Sequence, residues 1–256
     1  MSIPPEPLEN WDTSNAGPLT GIFAVEATIT AHAGPEVKLK QLLRLRIVQQ
    51  GSTFVHEKTT LCAFKLPVVP DTATLSIPPA LQAVIQTKGA EEQGDFLSGS
   101  GTLKYTPPPF LVVVGAKLAS PATDPLPTQM DLASAIDEDM DGNPGVTLGA
   151  EVFTCGNPPP PEKLFVAIRT SGTLVGQVPS PDLITGKVDV KFADSVLGFS
   201  NECLSAAAML RIDVTPGSPF KAIRTSADDD VDHNGNVSCP ELVLRASTLF
   251  PDWDEM

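Results

Sequence analysis

The sequence predicts an all-β fold, either an antiparallel barrel or a sandwich of about ten strands. Three observations lead to this prediction. Apolar and polar residues alternate with a period of two over most of the chain, which is the pattern of half-buried strands. The alternating stretches are short and are separated by clusters of Pro, Gly, Asn and Asp, which form turns. The 256 residues also include 26 prolines, and proline interrupts helices because it lacks the amide proton that a helix interior requires.

The two clearest strands lie near the N-terminus. Residues 21–30, GIFAVEATIT, and residues 37–48, VKLKQLLRLRIV, both alternate apolar with polar side chains. In the second stretch Lys40 and Arg44 fall on the face opposite the apolar one, so this strand is expected to be half-buried. Gly34 lies between the two stretches and predicts a hairpin connection.

Further strands are predicted between the turn clusters along the rest of the chain. They cover residues 52–65, 80–86, 110–118, 163–175, 184–193, 205–214, 220–226 and 241–248. A short helix is the alternative for residues 80–86 and for the stretch just after Pro240, because short apolar runs fit either element. Neither helix would change the predicted fold class.

The predicted organisation is one large domain with a short segment at each end. Residues 1–18 include four prolines and are expected to form a flexible N-terminal segment. Residues 19–250 form the single all-β domain, and residues 251–256, PDWDEM, form an acidic tail. All-β folds often exceed about 200 residues as one unit, so the chain length fits this organisation.

A weak internal repeat relates two acidic segments of the domain. Aligning Asp137 on Asp228, an offset of 91 residues, matches DEDMDGNPGVT with DDDVDHNGNVS. Duplication of a strand, loop and strand unit would divide the domain into half-repeats of about 19–150 and 151–250. The alternative is chance similarity between two Asp-rich turns.

The charge of the chain limits its partners. The formal net charge is −14 and the isoelectric point is near 4.5. Such a field repels nucleic acid and anionic lipid and concentrates cations near the surface. We therefore expect no nucleic-acid partner, and a cation is the favoured ligand.

The four cysteines, Cys62, Cys155, Cys203 and Cys239, are far apart and contain no CxxC pair, so neither a zinc knuckle nor a redox motif is indicated. Two structural disulfides are predicted, with all three pairings open, and buried free thiols are the alternative. The N-terminus has no signal peptide and the chain has no transmembrane segment. The expected location is extracytoplasmic: periplasmic, secreted or a lipoprotein whose leader has been removed.

The sharpest motif is the segment from Asp230 to Glu241, D-V-D-H-N-G-N-V-S-C-P-E, which fits the spacing DxDxNGxxxxxE. Calcium takes six to eight oxygen ligands from a sharply turning backbone. The segment resembles the calcium-binding loop of the EF-hand family. The resemblance implies side-chain oxygens from Asp230, Asp232 and Asn234, the backbone carbonyl of Asn236, a direct or water-mediated contact from Ser238 and both carboxylate oxygens of Glu241. Pro240 and the strand-like residues before the loop depart from the family, so we expect a calcium loop between other elements and no helix-loop-helix pair.

A second acidic segment, with Asp137, Asp139, Asp141 and Asn143, begins with the same DxDxDG spacing. It carries Leu148 where the bidentate glutamate of the EF-hand loop would stand, so a lower calcium affinity is expected. Its sequence DEDMDGNPGVT is also similar to the DxDGDGxPG loops of uncharacterised exported bacterial β-proteins and lipoproteins. That similarity implies a β fold and an extracytoplasmic location, and it implies no activity.

The other motifs predict no catalysis. His56 and Glu57 begin an HE pair without the second histidine of HExxH, and SGSG at residues 98–101 lacks the spacing of a nucleophile elbow. The favoured function is therefore an exported calcium-binding module that binds an unknown protein partner or serves a structural role.

Two other functions remain as alternatives. One is a lipocalin-like barrel that binds a small apolar ligand, since GIFAVEA at residues 21–27 resembles the start of the lipocalin GxW strand but lacks its tryptophan. The other is a calcium-dependent hydrolase acting on polysaccharide or lipid. An enclosed apolar cavity would favour the first, and a cleft with converging carboxylates and histidine would favour the second.

Overall fold

The computed structural model describes residue 11 and residues 13–32, 36–66, 68–69, 73–152, 155–156, 160–205 and 213–254. Strands dominate this part of the chain, so the all-β prediction is confirmed. The strands are β1 (Gly21–His32), β2 (Glu36–Gln50), β3 (Phe54–Lys65), β4 (Val68–Val69), β5 (Ala73–Ser76), β6 (Gly89–Asp95), β7 (Leu97–Ser98), β8 (Leu103–Tyr105), β9 (Phe110–Val114), β10 (Val146–Val152), β11 (Pro161–Ser180), β12 (Leu183–Phe199), β13 (Asp213–Val214) and β14 (Ser218–Arg224). The helices are α1 (Pro79–Thr87) and α2 (Cys239–Leu249).

The strands form one antiparallel sheet that curls into a half-barrel. Its order is β4-β5-β10-β11-β12-β14-β1-β2-β3-β6. The long strand β11 pairs with β12 along one edge, and β10, β9 and β8 follow one another along its other edge. β6 and β9 approach each other without pairing in the described part of the chain. We call the place where these two strands approach the seam between β6 and β9.

The concave face carries the main core. β1 pairs over its full length with β2, from Gly21 opposite Ile47 to His32 opposite Glu36. The alternation predicted for these strands is confirmed on this face, where Phe23 and Ile29 are completely buried. The same alternation continues into β12 and β14 through Val188, Val190 and Phe220. Burial of this face supplies the hydrophobic stabilisation of the sheet.

The convex face of β2 differs from its predicted solvent exposure. Lys40 and Arg44 are only 5% and 1% exposed, because the C-terminal segment covers them. Arg44 donates from Nε to the carbonyl of Val237 at 2.6 Å, and Lys40 donates to the carbonyl of Asp252. These bonds offset the loss of hydration. A second apolar core lies between the strands and α2, formed by Ala24, Leu42, Cys62, Val237, Cys239, Leu242, Ala246, Phe250 and Trp253.

Two predicted strands are helices, as the stated alternatives allowed. Residues 80–86 lie in α1, which begins with Pro79 in its first turn, a position where the missing amide proton costs nothing. Residues 241–248 lie in α2, where Ser238 and Glu241 form a capping box. The strand predicted over 110–118 ends at Val114, because Gly115 turns the chain with a φ of 78°.

The two ends of the chain are described in part. Residues 1–10 and 12 of the predicted N-terminal segment lie outside the described residues, as do 206–212 of the strand predicted at 205–214. In the predicted acidic tail, residues 251–254 form a 3₁₀ turn and Trp253 is buried against the second core. The described helices include none that is both long and apolar enough to cross a membrane.

Both predicted disulfides are present. Cys62 in β3 pairs with Cys239 at the start of α2, and Cys155 pairs with Cys203. The first bond joins residues 177 positions apart and fastens the C-terminal helix to the convex face of the sheet. The second joins the chain after β10 to the turn after β12, over 48 positions.

Candidate calcium loops and interior cavity

The loop from Asp230 to Glu241, called here the C-terminal loop, connects β14 to α2. Carboxylate oxygens of Asp230, Asp232 and Glu241 lie within 4.8 Å of one another. Two residues with positive φ produce the required turn, His233 at 56° and Gly235 at 83°. The sequence therefore brings three of the predicted ligands together, and a cation could be held among them.

Backbone amides orient the first residues of the C-terminal loop. Asp230 accepts from the amides of Asn234 and Gly235 at 3.1 and 2.8 Å. Asp232 also accepts from the Asn234 amide, at 3.1 Å, and Asn234 accepts from the amide of Asn236 at 2.8 Å. These bonds fix the side-chain oxygens on the inside of the turn.

Glu241 serves as the closing residue of the C-terminal loop. One carboxylate oxygen accepts from the amides of Val231 and Asp232 at 2.7 and 3.1 Å. The other accepts from the amide and hydroxyl of Ser238, both at 2.7 Å. Burial opposes the charge of Glu241, but these hydrogen bonds outweigh it and lower its pKa. Ser238, a predicted ligand, is placed as the N-cap of α2.

The C-terminal loop is fastened directly to the sheet. Arg44 Nη2 donates to Asn236 Oδ1 at 2.5 Å, so the Asn236 side chain turns toward β2. This placement agrees with the expectation that Asn236 would offer calcium its backbone carbonyl and not its side chain. The Cys62–Cys239 disulfide lies next to these contacts. The loop therefore rests on a fixed support.

The segment from Asp137 to Leu148, called here the N-terminal loop, connects β9 to β10. Carboxylate oxygens of Asp137, Asp139 and Asp141 lie within 4.8 Å of one another. Asp137 accepts from the amides of Asp141 and Gly142 at 3.0 and 2.9 Å. Asp141 accepts from both nitrogens of Asn143 at 3.0 Å. The predicted residues are thus gathered in this loop as well.

The two loops have the same local backbone, in a register that differs from the sequence alignment. Met140 and His233 are the two non-glycine residues with positive φ in the described ranges, at 55° and 56°. Each lies three residues after the aspartate that accepts the next two amides, Asp137 or Asp230. Asp137 is therefore equivalent to Asp230. The alignment of Asp137 on Asp228 is wrong by two residues.

Asp139 distinguishes the N-terminal loop. The residue is 7% exposed. Its Oδ2 accepts from the amide of Thr147 at 2.9 Å, whereas Oδ1 is buried without a hydrogen-bond partner. Burial raises the pKa of Asp139. A buried carboxylate oxygen without a donor is costly, and a cation bound beside it would remove that cost.

The N-terminal loop closes without a carboxylate at its twelfth position. Thr147 donates its hydroxyl to Asp141 at 2.8 Å, and Lys163 Nζ lies 3.6 Å from the same carboxylate. These contacts outweigh burial and lower the pKa of Asp141. Leu148 belongs to β10 and its side chain lines the interior of the sheet, so it is directed away from the loop.

An interior cavity of about 270 Å³ lies against the concave face of the sheet. Most of its lining is aliphatic or aromatic, including Leu43, Leu81 and Phe192. Glu57 and Tyr105 are polar residues of this lining that contact each other. Glu57 is 5% exposed and its carboxylate accepts from the Tyr105 hydroxyl at 2.5 Å. Burial raises the pKa of Glu57 to about 7, although the Tyr105 bond opposes the shift.

Sequence reasoning did not identify the Glu57 and Tyr105 pair. One signal was available, because Glu57 alternates with Val55 and Leu61 on the inward face of β3. A carboxylate in such a position interrupts an apolar pattern and requires a buried partner. The partner, Tyr105, comes from a three-residue strand that the sequence pattern did not predict.

Comparison with known proteins gives no relative: no family model, no curated protein and no solved structure matches this chain.

Proposed function

We propose that this protein is an exported calcium-binding β-module in which both acidic loops bind calcium. The observation that carries the proposal is the shared loop conformation, in which a non-glycine residue, Met140 or His233, is held at positive φ and the carboxylates converge. Such residues cost on the order of 1–3 kcal/mol each. A bound cation would offset this cost in both loops.

The charge distribution supports a divalent cation. Each loop gathers three carboxylates within 4.8 Å, and the whole chain has a net charge of −14. The buried Oδ1 of Asp139 adds an oxygen that has no donor within the described chain. Asn234, the fifth residue of the C-terminal loop, and Asn143, the seventh residue of the N-terminal loop, could supply further neutral oxygens. Calcium suits this arrangement of hard, flexible oxygen ligands better than magnesium, which requires a near-octahedral shell.

The two disulfides support an extracytoplasmic location as part of the proposal. Cys62–Cys239 and Cys155–Cys203 involve all four cysteines of the chain. Disulfides persist in oxidising compartments and are rare in the cytosol. Free calcium is also abundant outside cells, so sites of moderate affinity would be filled there.

The test is thermal unfolding with and without calcium. Ligand at a hundredfold excess over Kd stabilises the native state by about 2.7 kcal/mol per site, so millimolar calcium should raise Tm by about 5–10 °C per site. Magnesium should give a much smaller increase. Asp137→Asn and Asp230→Asn should each remove the part of the calcium-induced Tm increase that comes from one loop. Asp228→Asn is the matched control, because Asp228 is an exposed neighbour outside the ligand spacing.

Two results would reject the calcium proposal. One is a wild-type Tm that does not change with calcium or with a chelator. The other is an equal loss of calcium response in Asp228→Asn and Asp230→Asn, which would indicate general screening of negative charge and no specific site.

A second candidate function, binding of a small apolar ligand, is favoured by the interior cavity. Its volume of about 270 Å³ lies just below the usual range of about 300–1,000 Å³ for ligand pockets. The described lining contains no histidine or serine, so this cavity offers no support to the hydrolase alternative. Saturable binding of octanol, measured by calorimetry, tests this function, and absence of binding would reject it.

A further inference from the structure

The charged side chains that line the interior cavity are mostly acidic. Glu57 lies inside and Glu92 lies opposite it on β6, at the seam between β6 and β9. Lys88 is the one lysine of the described lining, and its ammonium group already forms an ion pair with Glu138 of the N-terminal loop. A carboxylate ligand would therefore meet three carboxylates, Asp194 of β12 included, and no lysine without a partner.

Glu57 is placed to contact a ligand inside the cavity. Its side chain lines the cavity and accepts a hydrogen bond from the hydroxyl of Tyr105. Tyr105 is 1% exposed, so it holds the carboxylate in a fixed position. An ionised carboxylate in an apolar cavity is unfavourable unless a positive charge pairs with it.

We propose that the interior cavity binds a small organic ammonium ion, with its apolar body inside the curled sheet and its ammonium group on Glu57. The proposal rests on the second candidate function, binding in the cavity, and adds the chemistry of the head group. Charge-assisted hydrogen bonds are roughly twice as strong as neutral ones. Glu92, an exposed residue of β6 that also lines the cavity, would attract the cation toward it.

The size of the cavity restricts the apolar body of the ligand. A volume of about 270 Å³ is small for a drug-sized molecule. Leu43, Leu81 and Phe192 provide apolar walls. A short alkyl chain with one ammonium group is therefore the ligand class that the cavity fits.

Calorimetry with three matched probes tests the head group. Octylamine, octanol and octanoate share one apolar chain and differ in charge. With calcium-saturated full-length protein at about pH 8, octylamine should bind at least about tenfold more tightly than octanol. Octanoate should bind more weakly than octanol, because Glu57 and Glu92 repel it.

Substitution locates the interaction. Glu57→Gln keeps the size of the side chain and an acceptor for Tyr105 but removes the charge. It should lower the octylamine affinity about tenfold, to the level of octanol, and leave octanol binding unchanged. Glu91→Gln is the matched control, because Glu91 lies on the same strand as Glu92, contacts His56 and does not line the cavity. It should change neither affinity.

The pH dependence provides an independent readout. The pKa of Glu57 is about 7, whereas an alkylamine stays protonated well above that pH, as lysine does. Octylamine affinity should therefore fall about fivefold from pH 8 to pH 6, while octanol affinity stays constant. The other titratable or charged groups that face the cavity are Tyr105 of β8, Glu92 of β6, Lys88 after α1 and Asp194 of β12. The pH dependence of octylamine affinity should disappear in Glu57→Gln. Its disappearance would assign the pH dependence to Glu57.

The outcomes separate the two proposals. Equal binding of octylamine and octanol, or tightest binding of octanoate, would overturn ammonium recognition while leaving the cavity function in place. No binding of any probe would overturn both. Unchanged octylamine affinity in Glu57→Gln would also overturn the assignment to Glu57. None of these outcomes bears on the calcium loops, which the melting experiment tests separately.

Discussion

The N-terminal and C-terminal loops share a backbone turn but are closed by different chemistry. In the C-terminal loop, Glu241 satisfies four donors and caps α2. In the N-terminal loop, Thr147 and Lys163 close the turn against Asp141, and one buried oxygen of Asp139 has no donor. Hydrogen bonds therefore satisfy the closing carboxylate of the C-terminal loop, whereas the N-terminal loop carries an additional electrostatic cost that a cation would relieve.

This difference changes the expected ranking of the two sites. The sequence spacing favours the C-terminal loop because it has a glutamate at position twelve. In the structure, however, calcium would compete there with the hydrogen bonds of Glu241, and these bonds would have to be released for bidentate ligation. The N-terminal loop has fewer potential ligands, but calcium binding there would not require the release of such hydrogen bonds from a closing glutamate. Site-resolved measurement is needed, and the amides of Gly142 and Gly235, which occupy equivalent positions, provide matched NMR reporters.

The largest expected effect comes from removing the disulfide that supports the C-terminal loop. Replacing Cys62 and Cys239 by alanine should cost about 5 kcal/mol, because the bond closes a chain segment of 177 residues. The change that calcium causes in the NMR chemical shift of the Gly235 amide should become smaller. The corresponding change at the Gly142 amide should persist. The Cys155 and Cys203 double alanine variant is the control: it should cost about 4 kcal/mol and leave the Gly235 response intact. Equal weakening of both amides would mean that the two loops are not independent.

Glu241→Gln should give the next largest effect, and it should appear even without calcium. The substitution removes the charge that strengthens four hydrogen bonds at the start of α2. A loss of about 1–2 kcal/mol in unfolding free energy is expected from denaturant titration in a chelator. The calcium shift of Gly235 should also decrease. A variant as stable as wild type under these conditions would show that the capping role of Glu241 is small.

Without calcium, Asp139→Asn should have the opposite effect on the free energy of unfolding and stabilise the protein. The amide oxygen can still accept from Thr147, and the substitution removes a buried charge whose oxygen lacks a donor. Stability in a chelator should rise by about 0.5–1 kcal/mol, while the calcium shift of Gly142 should be lost. If this variant is instead destabilised in a chelator, the buried charge of Asp139 is not the source of the difference between the two loops.

The sequence predicted the strands whose alternation is long enough to be unambiguous. β1, β2, β11 and β12 each contain a predicted strand. Residues 80–86 and 241–248 were predicted as strands but are helical, because a seven- or eight-residue apolar pattern fits both periods. Burial of Lys40 and Arg44 depends on contacts with residues about 200 positions away in the chain, which no local pattern contains.

The loops show a similar limit for the site. Their aspartates recur at every second position, so an alignment by identity can slide by two residues and still match, as the alignment of Asp137 on Asp228 did. Only the positive φ of Met140 and His233 defines the register. The spacing was sufficient to identify the acidic clusters. It could not reveal the unpartnered oxygen of Asp139 or the pairing of Glu57 with Tyr105, since both depend on tertiary packing.

The smallest expected effect concerns Lys163, which distinguishes the two loops by its charge. Its ammonium nitrogen lies 3.6 Å from the Asp141 carboxylate and the side chain is 56% exposed, so the ion pair contributes little to stability. A bound calcium ion beside Asp141 would be repelled by this charge across a solvent-screened distance. Lys163→Gln should therefore tighten calcium binding to the N-terminal loop, reported by the Gly142 amide, about two- to threefold. Calcium binding to the C-terminal loop, reported by the Gly235 amide, should not change. Lys117→Gln provides a control for net charge, because Lys117 is an exposed lysine outside both loops. Equal tightening in both variants would attribute the change to net charge, and weaker binding in Lys163→Gln would mean that Lys163 positions Asp141 for calcium.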